Sequence, residues 1–559
     1  MIQKIPIPLL PAAALLFILF GCFYGLGAYA LLDNNEGVYA SIARTMAEGG
    51  DLVIPHLNGL PYIEKPPLFY WLTAASFRIF GFGEWQARLV PALALFTTIL
   101  SSSLFVGRRA GTDAGAVTSI ILSTSLVMLL IGRMVYFNML FICFITMAHF
   151  ALYRWYESGV RAYLRVAYIM AGLAVMTKGP LGVVLIGGTW LCFLMLQRSP
   201  GKMYWRAFDI AGMAIFLGIV VPWHVLAGQK DPGFYWFYFI NEHVLRFLNM
   251  RQPHDYYTGP FWYYIPRMAL YLLPWSFLLP VFFQRQESLA ADHIRLRTFL
   301  WCWLGWPMVF FSLSLAKANY YMVVGAIPLA ILLAFRVMAM TRQKPNRLLA
   351  AIVACVIITM ALFLAASLLL CQDWLKLQPY CFAITPALVV VAGICATASL
   401  YALWKLPLRA SALLLASTIV IALPAMINWM NVSGQLSSQK EVADYLNTHD
   451  VALPTAIYTD FEEFSALAYY LDHPMVIVGS ESGDLSYSKH YHPELGGFND
   501  LNDWLQQASS STTPKRLLVR NHYLPKLRGY IENSSFGAHL QMETVPFKLL
   551  SVITFSRRN

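Results

Sequence analysis

Charge is scarce in this chain of 559 residues: Asp, Glu, Lys and Arg make up 12% of it, against about 25% in ordinary soluble proteins. With 58% hydrophobic residues there is too little polar surface to solvate a globule, which excludes a soluble class. Alternation is missing too. The apolar runs are continuous, whereas the strands of a membrane β-barrel alternate lipid-facing and lumen-facing residues, so a barrel is excluded. The sequence has no glycine-rich nucleotide loop and no repeat with a period of about 20 to 50 residues, which argues against an inverted-repeat transporter. Cysteine outside the apolar runs is limited to Cys371 and Cys381. Cys22, Cys143, Cys192, Cys302, Cys355 and Cys395 fall inside those runs, where small soft side chains pack.

What the chain has in place of these is length of apolar sequence. Its runs of about 18 to 25 residues suit the helix needed to cross about 30 Å of hydrocarbon, and a helix satisfies its own backbone where water is absent. Spans are expected at 8–32, 86–107, 114–132, 135–155, 163–177, 180–197, 208–226, 262–283, 298–314, 319–338, 347–370, 381–404 and 410–428, about thirteen in all. Lys and Arg outnumber Asp and Glu by 40 to 29, a net charge of +11. With the N-terminus inside, the inner connections hold Arg108 and Arg109; Arg154, Arg161 and Arg165; Arg198, Lys202 and Arg206; Arg285, Arg295 and Arg297; Arg336, Arg342, Lys344 and Arg347; and Lys405 and Arg409. This positive-inside pattern accounts for the charge without nucleic acid as a partner. An odd number of spans puts the chain from about residue 429 outside. The first run follows Lys4 and ends near Ala28-Tyr29-Ala30, but it exceeds the roughly 7 to 15 residues of a signal core, so it is expected to stay as a span. Cys371 and Cys381 bracket the outer loop CQDWLKLQPYC and are expected to pair if that face is oxidising.

The expected organisation is a transmembrane domain over 1–430, with long outer loops at 33–85 and 227–262, and a soluble α/β domain over 431–559. In the first loop YASIARTMAEGG sets Tyr39, Ile42, Ala43 and Met46 on one helical face. PPLFYWLTAASFRIFG reads as a helix lying in the interface. The second loop is dense in aromatic rings of the kind found at headgroup depth. Beyond residue 431, the runs TAIYT, MVIVG, RLLVR and LLSVITF read as strands, and SSQKEVADYLNTH, FEEFSALAYYLDH and FNDLNDWLQQ as helical or turn segments.

Candidate chemistry begins directly after the first span, where ionisable groups are costly near lipid: Asp33, Glu36, Glu64 and Lys65. Pro66 and Pro67 stiffen the backbone beside Lys65, and a fixed ammonium there suits a lipid phosphate; the plainer reading is a set of charges that anchors the helix. A second group is Asn241, Glu242, His243 and Arg246, with His254 and Asp255 beyond. Glu242 and Arg246 stand i,i+4 and can pair with each other, while Glu64 with His243 or His254 would suit a divalent metal. Lys178, Arg133, Arg267 and Lys317, the last with Ser312 and Ser314, add cations on the outer face, where few are expected. An anionic headgroup would explain the set; snorkelling would explain any one of them.

The segments NNEGVYASIARTM, LNGLPYIEKPPLFYW, NEHVLRF, TGPFWYYIPR and FSLSLAKANYY, in this order, resemble the bacterial polyprenyl-phosphate-dependent glycosyltransferases related to the aminoarabinose transferase of lipid A, and more distantly protein O-mannosyltransferases. The resemblance covers roughly residues 1 to 340. It implies a C-type glycosyltransferase membrane fold, inverting transfer from an undecaprenyl-phosphate sugar, and a periplasmic active site. It implies that Lys65 binds the donor phosphate beside Glu64, that Tyr321 lies near the same pocket, and that His243 and Arg246 belong to the second-loop motif. The sequence departs from the family where Asn35 precedes Glu36 in place of Asp, where Val38 replaces an Arg, and where Asn138 stands for a further Asp. An amide cannot act as a general base. A phosphate acceptor, already anionic, needs positioning and charge stabilisation more than proton removal, which favours a lipid A phosphate over a Ser or Thr hydroxyl.

The expectation is therefore an inner-membrane, monomeric glycosyltransferase that moves a sugar from a polyprenyl-phosphate donor to a lipid or protein acceptor of the envelope. Asp33, Asn35, Glu36 and Asn138 are its candidate catalytic residues. Lys65, Arg246, Lys317, Tyr321, Lys178 and Arg267 are candidates for the donor phosphate and lipid, and Glu64, His243 and His254 for a divalent metal. Two rivals remain, a non-catalytic homologue that binds the donor lipid and a protein O-glycosyltransferase; a transporter ranks last.

Overall fold

The computed structural model describes residues 9–254, 258–283, 291–343, 427, 439–449, 453–480 and 482–558. The expected spans at 347–370, 381–404 and 410–428, the Cys371–Cys381 pair and Asp255 lie outside the described residues, Ile427 excepted. The chain divides into two compact units, one of residues 1–26, 88–224 and 243–429 and the other of 27–87, 225–242 and 430–559.

The first unit is helical. Among the described residues, four helices are long and apolar enough to cross a membrane: Glu84–Ala110, Phe137–Ser158, Ile210–Lys230 and the stretch Tyr321–Ala339. The helices Phe137–Ser158 and Arg161–Lys178 form a hairpin turned at Gly159, whose φ is 70°, a left-handed conformation glycine adopts without strain. Leu181–Leu196 returns beside them and packs on Ala291–Leu313. The core between these helices is aromatic: Phe105 stacks on Phe150 at 4.0 Å and His149 on Trp303 at 4.4 Å.

The run expected at 8–32 is helical only over Leu9–Phe23, and two further expected spans are broken. The run 114–132 forms separate helices, Thr112–Ser123 and Leu126–Ile131. Ser123, Thr124 and Ser125 turn their hydroxyls back onto Ile120 and Ile121 carbonyls, competition that bends helices, and the Leu126 N–H bonds Leu273 O at 2.9 Å instead. The run 262–283 is the helix Tyr264–Tyr271 followed by a 3₁₀ segment, Trp275–Phe283; Pro274 and Pro280 lack the N–H groups that a continuous helix would use.

In the second unit, His56–Leu57 (β1) and Leu60–Pro61 (β2) form a hairpin across Asn58 and Gly59, with φ of 53° and 79°, the Asn-Gly turn that matches strand twist. A six-stranded sheet holds Thr455–Tyr458 (β3), Val476–Val478 (β4), Phe498–Asn499 (β5), Lys515–Arg520 (β6), Leu540–Pro546 (β7) and Leu550–Arg557 (β8) in the order β5-β4-β3-β6-β8-β7. β5, β4, β3 and β6 are mutually parallel; β8 is antiparallel to both β6 and β7. The four apolar runs expected as strands are β3, β4, β6 and β8. β5 and β7 were not expected, and the reason is that both lie at sheet edges with polar residues such as Asn499, Gln541 and Glu543.

The sequence grouped loop 33–85 with the spans. In the structure residues 27–87 pack into one unit with the chain from 430 on. The helix Asn35–Ala47 buries its expected face, Tyr39, Ile42, Ala43 and Met46, against the helices Leu68–Phe80 and Leu467–Tyr470. At Gly37 a Cβ would stand 2.4 Å from the Ala466 nitrogen, so only glycine allows that backbone approach.

Candidate active site

Each unit brings sequence-expected polar side chains together. In the second, the β1–β2 hairpin is anchored by Asn58, whose amide exchanges two 2.8 Å bonds with the backbone of Met475. Glu64, Lys65 and the buried Pro66 and Pro67 follow, and the helix Leu68–Phe80 starts immediately after them. The Lys65 ammonium donates to Glu242 Oε2 at 2.9 Å and to its neighbour's carbonyl, Glu64 O, at 3.0 Å, with Glu64 Oε2 at 3.6 Å. Glu242 sits in a π-helix, Trp236–Leu245, an uncommon form often found at functional sites. The side chain of Glu242 is fully buried. Tyr62 donates its hydroxyl to Glu64 Oε2 at 3.3 Å, and burial, with Glu64 beside it, pushes the phenol well above its usual range. The partnership of Lys65 with Glu242 escapes sequence reading because 177 residues separate them.

Asp33 and Glu36 serve local structure. Asp33 Oδ1 accepts from the Ala466 N–H at 3.1 Å and Oδ2 from Gln439 at 3.0 Å, with Arg520 at 3.5 Å. Burial pushes its carboxyl up to about 7, against the opposing pull of Arg520 and these donors. Glu36, in the first turn of its helix, accepts from the Leu32 N–H at 3.0 Å, as a capping carboxylate does. Asn35 is half-buried beside it.

In the first unit Lys178, the last residue of its helix, donates to Asn138 Oδ1 at 2.6 Å. Four rings surround the ammonium, with Phe137, Phe141, Tyr320 and Tyr321 centroids 5.2 to 5.4 Å from Nζ, a geometry favourable to a cation. Asn138 is 2% exposed, and its Nδ2 is buried without a hydrogen-bond partner. An unanswered amide donor in such a place calls for an acceptor.

Two of the cations expected to converge on an anion are helix caps instead. Lys317 gives its ammonium to the carbonyls of Phe311 at 2.9 Å, Ser312 at 2.6 Å and Ser314, so it closes the carboxyl end of Ala291–Leu313. All three of its protons are used. Arg133 does the same for Leu9–Phe23, donating to Gly21 O at 2.9 Å and to Tyr24 O. The Arg267 guanidinium lies 3.3 Å from the Tyr263 ring centre and bonds that residue's carbonyl. His243 and Arg246 are half-buried and His254 is exposed. The metal set Glu64, His243 and His254 is not assembled: among the described residues no three His, Cys, Asp or Glu side chains gather as a metal site would need. Glu64 has an ammonium at 3.6 Å, a charge that repels a second cation.

The model of the dolichyl-phosphate-mannose-protein mannosyltransferase family matches residues 64–225. The chain is similar over 98% of its length to the crystal structure of ArnT from Cupriavidus metallidurans bound to undecaprenyl phosphate, covering 97% of that chain at a TM-score of 0.82 and 22% identity. The fold is thus that of a C-type membrane glycosyltransferase. The undecaprenyl phosphate-α-4-amino-4-deoxy-L-arabinose arabinosyl transferase of Pseudomonas aeruginosa is 30% identical over 532 residues, 91% of this chain and 93% of that protein. The corresponding transferase of Pseudomonas paraeruginosa is 29% identical over 526 residues, 91% and 93% of the two chains. The chain belongs to this family of undecaprenyl phosphate-aminoarabinose transferases.

Proposed function

We propose that the protein transfers 4-amino-4-deoxy-L-arabinose from undecaprenyl phosphate to a phosphate of lipid A at the outer face of a bacterial inner membrane. The observation that carries this reading is near-full-length similarity to the aminoarabinose transferases joined to the fixed ammonium of Lys65. An acceptor phosphate oxygen attacks the anomeric carbon as the bond from that carbon to the donor phosphate breaks, and undecaprenyl phosphate leaves with its oxygen anionic. No proton has to move. The need is for positive charge where the leaving phosphate develops, which is the role assigned to Lys65 on exchanging its Glu242 partner for the donor. Asn138, with its unanswered amide N–H, is assigned a hydrogen bond to the sugar or acceptor, and Lys178 the task of orienting Asn138. The basic connections on one side of the spans support an N-terminus inside and the region beyond 430 outside.

The test is transfer in proteoliposomes holding the undecaprenyl-phosphate sugar and lipid A, read by mass spectrometry. Wild type is expected to add the amino sugar, and Lys65→Ala to lose about 10²- to 10³-fold in turnover. Wild-type turnover in Lys65→Ala would remove its assigned role. Donor binding with no transfer by the wild type to any envelope acceptor would favour the non-catalytic reading.

A further inference from the structure

An apolar groove of about 220 Å³ runs along the first unit, lined by Leu164, Tyr168, Ala171, Gly187, Trp190 and Phe216 among others. It belongs to the helices Arg161–Lys178, Leu181–Leu196 and Ile210–Lys230. At one end stand arginines. Arg165 and Arg161 reach Asp209 at 3.0 and 3.5 Å while staying 44% and 76% exposed. Arg206 is exposed, and its Nη2 lies 3.8 Å from where a Cβ on Gly159 would be, so it reaches the connection that begins the helix of Arg161 and Arg165. Asp209 is the one acid paired with this group among the described residues; Glu157, at the end of the neighbouring helix, is held by Arg109. The rim therefore carries net positive charge.

One residue of the groove wall carries an unanswered polar group. Trp190 is 7% exposed and its indole N–H is buried with no partner. The Tyr168 hydroxyl, by contrast, donates to Ala207 O at 2.9 Å. Across the turn at Gly179 and Pro180, Trp190 stands level with about residue 169, roughly one helical turn deeper than Arg165. Positive charge at the mouth, one donor a turn further in and apolar walls beyond it match an anionic phosphate, an ester carbonyl and an acyl chain in that order.

We propose that this groove is a binding site for an anionic diacyl phospholipid, with its phosphate on Arg161, Arg165 and Arg206, an ester oxygen accepting from Trp190, and one acyl chain along the apolar walls. A polyprenyl phosphate has no ester and would leave the indole unanswered. The site is independent of the transfer reaction proposed above.

The experiment uses the full chain in nanodiscs of dioleoylphosphatidylcholine doped with dioleoylphosphatidylglycerol and undecaprenyl phosphate, with retained lipid read by native mass spectrometry after detergent release. Wild type is expected to keep phosphatidylglycerol over phosphatidylcholine by about tenfold or more, since cations near the membrane surface attract anionic lipid. Gly187→Trp, at a helix position where an added Cβ meets nothing within 4 Å, fills the groove and should reduce retention about tenfold. Trp190→Phe should reduce it by less while leaving the charge preference intact, and Arg165→Gln with Arg206→Gln should abolish the preference. Equal retention of the two phospholipids by wild type, preferential retention of undecaprenyl phosphate, or full retention in Gly187→Trp would each overturn the proposal.

Discussion

At the scale of single residues, a buried charged side chain acts according to what answers it. Lys65 and Lys317 are both ammonium groups beside aromatic sequence, yet Lys317 is saturated by three carbonyls whereas Lys65 pairs with a buried carboxylate, Glu242. The amides at Asn35 and Asn138 lead to a discriminating prediction. Asn138→Asp, which removes the amide donor and adds a carboxylate, should lower transfer to an anionic phosphate acceptor and raise transfer to a hydroxyl acceptor by about 10²-fold, the usual gain from a general base. Equal gains on both acceptors would show that proton removal limits the reaction with phosphate as well. Asp33 gives a second prediction. Its carboxyl rises on folding from 3.8 to about 7, so between these values the folded chain keeps a proton that the unfolded chain has lost. The stability this contributes is complete below about pH 4 and disappears as pH rises through about 7, a limit of about 4 kcal/mol. Thermal unfolding at pH 5 and pH 8 should show a larger loss in wild type than in Asp33→Asn, and parallel losses would contradict the raised value.

At the scale of elements, helix ends account for several of the buried charged side chains. Lys317 and Arg133 cap carboxyl ends where the macrodipole favours positive charge, and Glu36 sits in a first turn where negative charge is favoured. Lys317→Met leaves the carbonyls of Phe311, Ser312 and Ser314 without their donor, a cost of about 1 to 3 kcal/mol. It should lower the unfolding temperature of the detergent-solubilised protein and leave the affinity for the donor lipid unchanged; weakened donor binding with unchanged stability would restore Lys317 to the lipid site. The groove lined by Gly187 and Trp190 arises at this scale as well, because small residues let helices approach closely. At Gly212 a Cβ would stand 2.4 Å from the Tyr168 ring.

At the scale of the whole molecule, the C-terminal sheet is not an appendage. Residues 27–87 pack into one unit with the chain from 430 on, through Asn58 on Met475, Asp33 on Ala466 and Gln439, and the buried face of Asn35–Ala47. A chain ending at residue 430 should therefore lose order in 27–87, seen as rapid proteolysis there, and lose transfer activity together with it. Protease resistance in the truncated chain would show that loop to be independent.

Much of this was legible in advance. Continuous apolar runs and the alternation of residue types are properties of segments, so the sequence by itself determined the membrane class, the helices around 86–107, 135–155 and 208–226, the amphipathic face of Tyr39, Ile42, Ala43 and Met46, and four strands of the sheet. The Asn58-Gly59 hairpin carries its own signal in the turn dipeptide. Which cation faces a carboxylate, which caps a helix and which meets an amide depends on atoms far apart along the chain: Lys65 on Glu242, Lys178 on Asn138, Asp33 on Gln439 and Arg520. A side chain's charge is written in its codon, but the free energy of that charge depends on the partners and burial that only tertiary packing supplies.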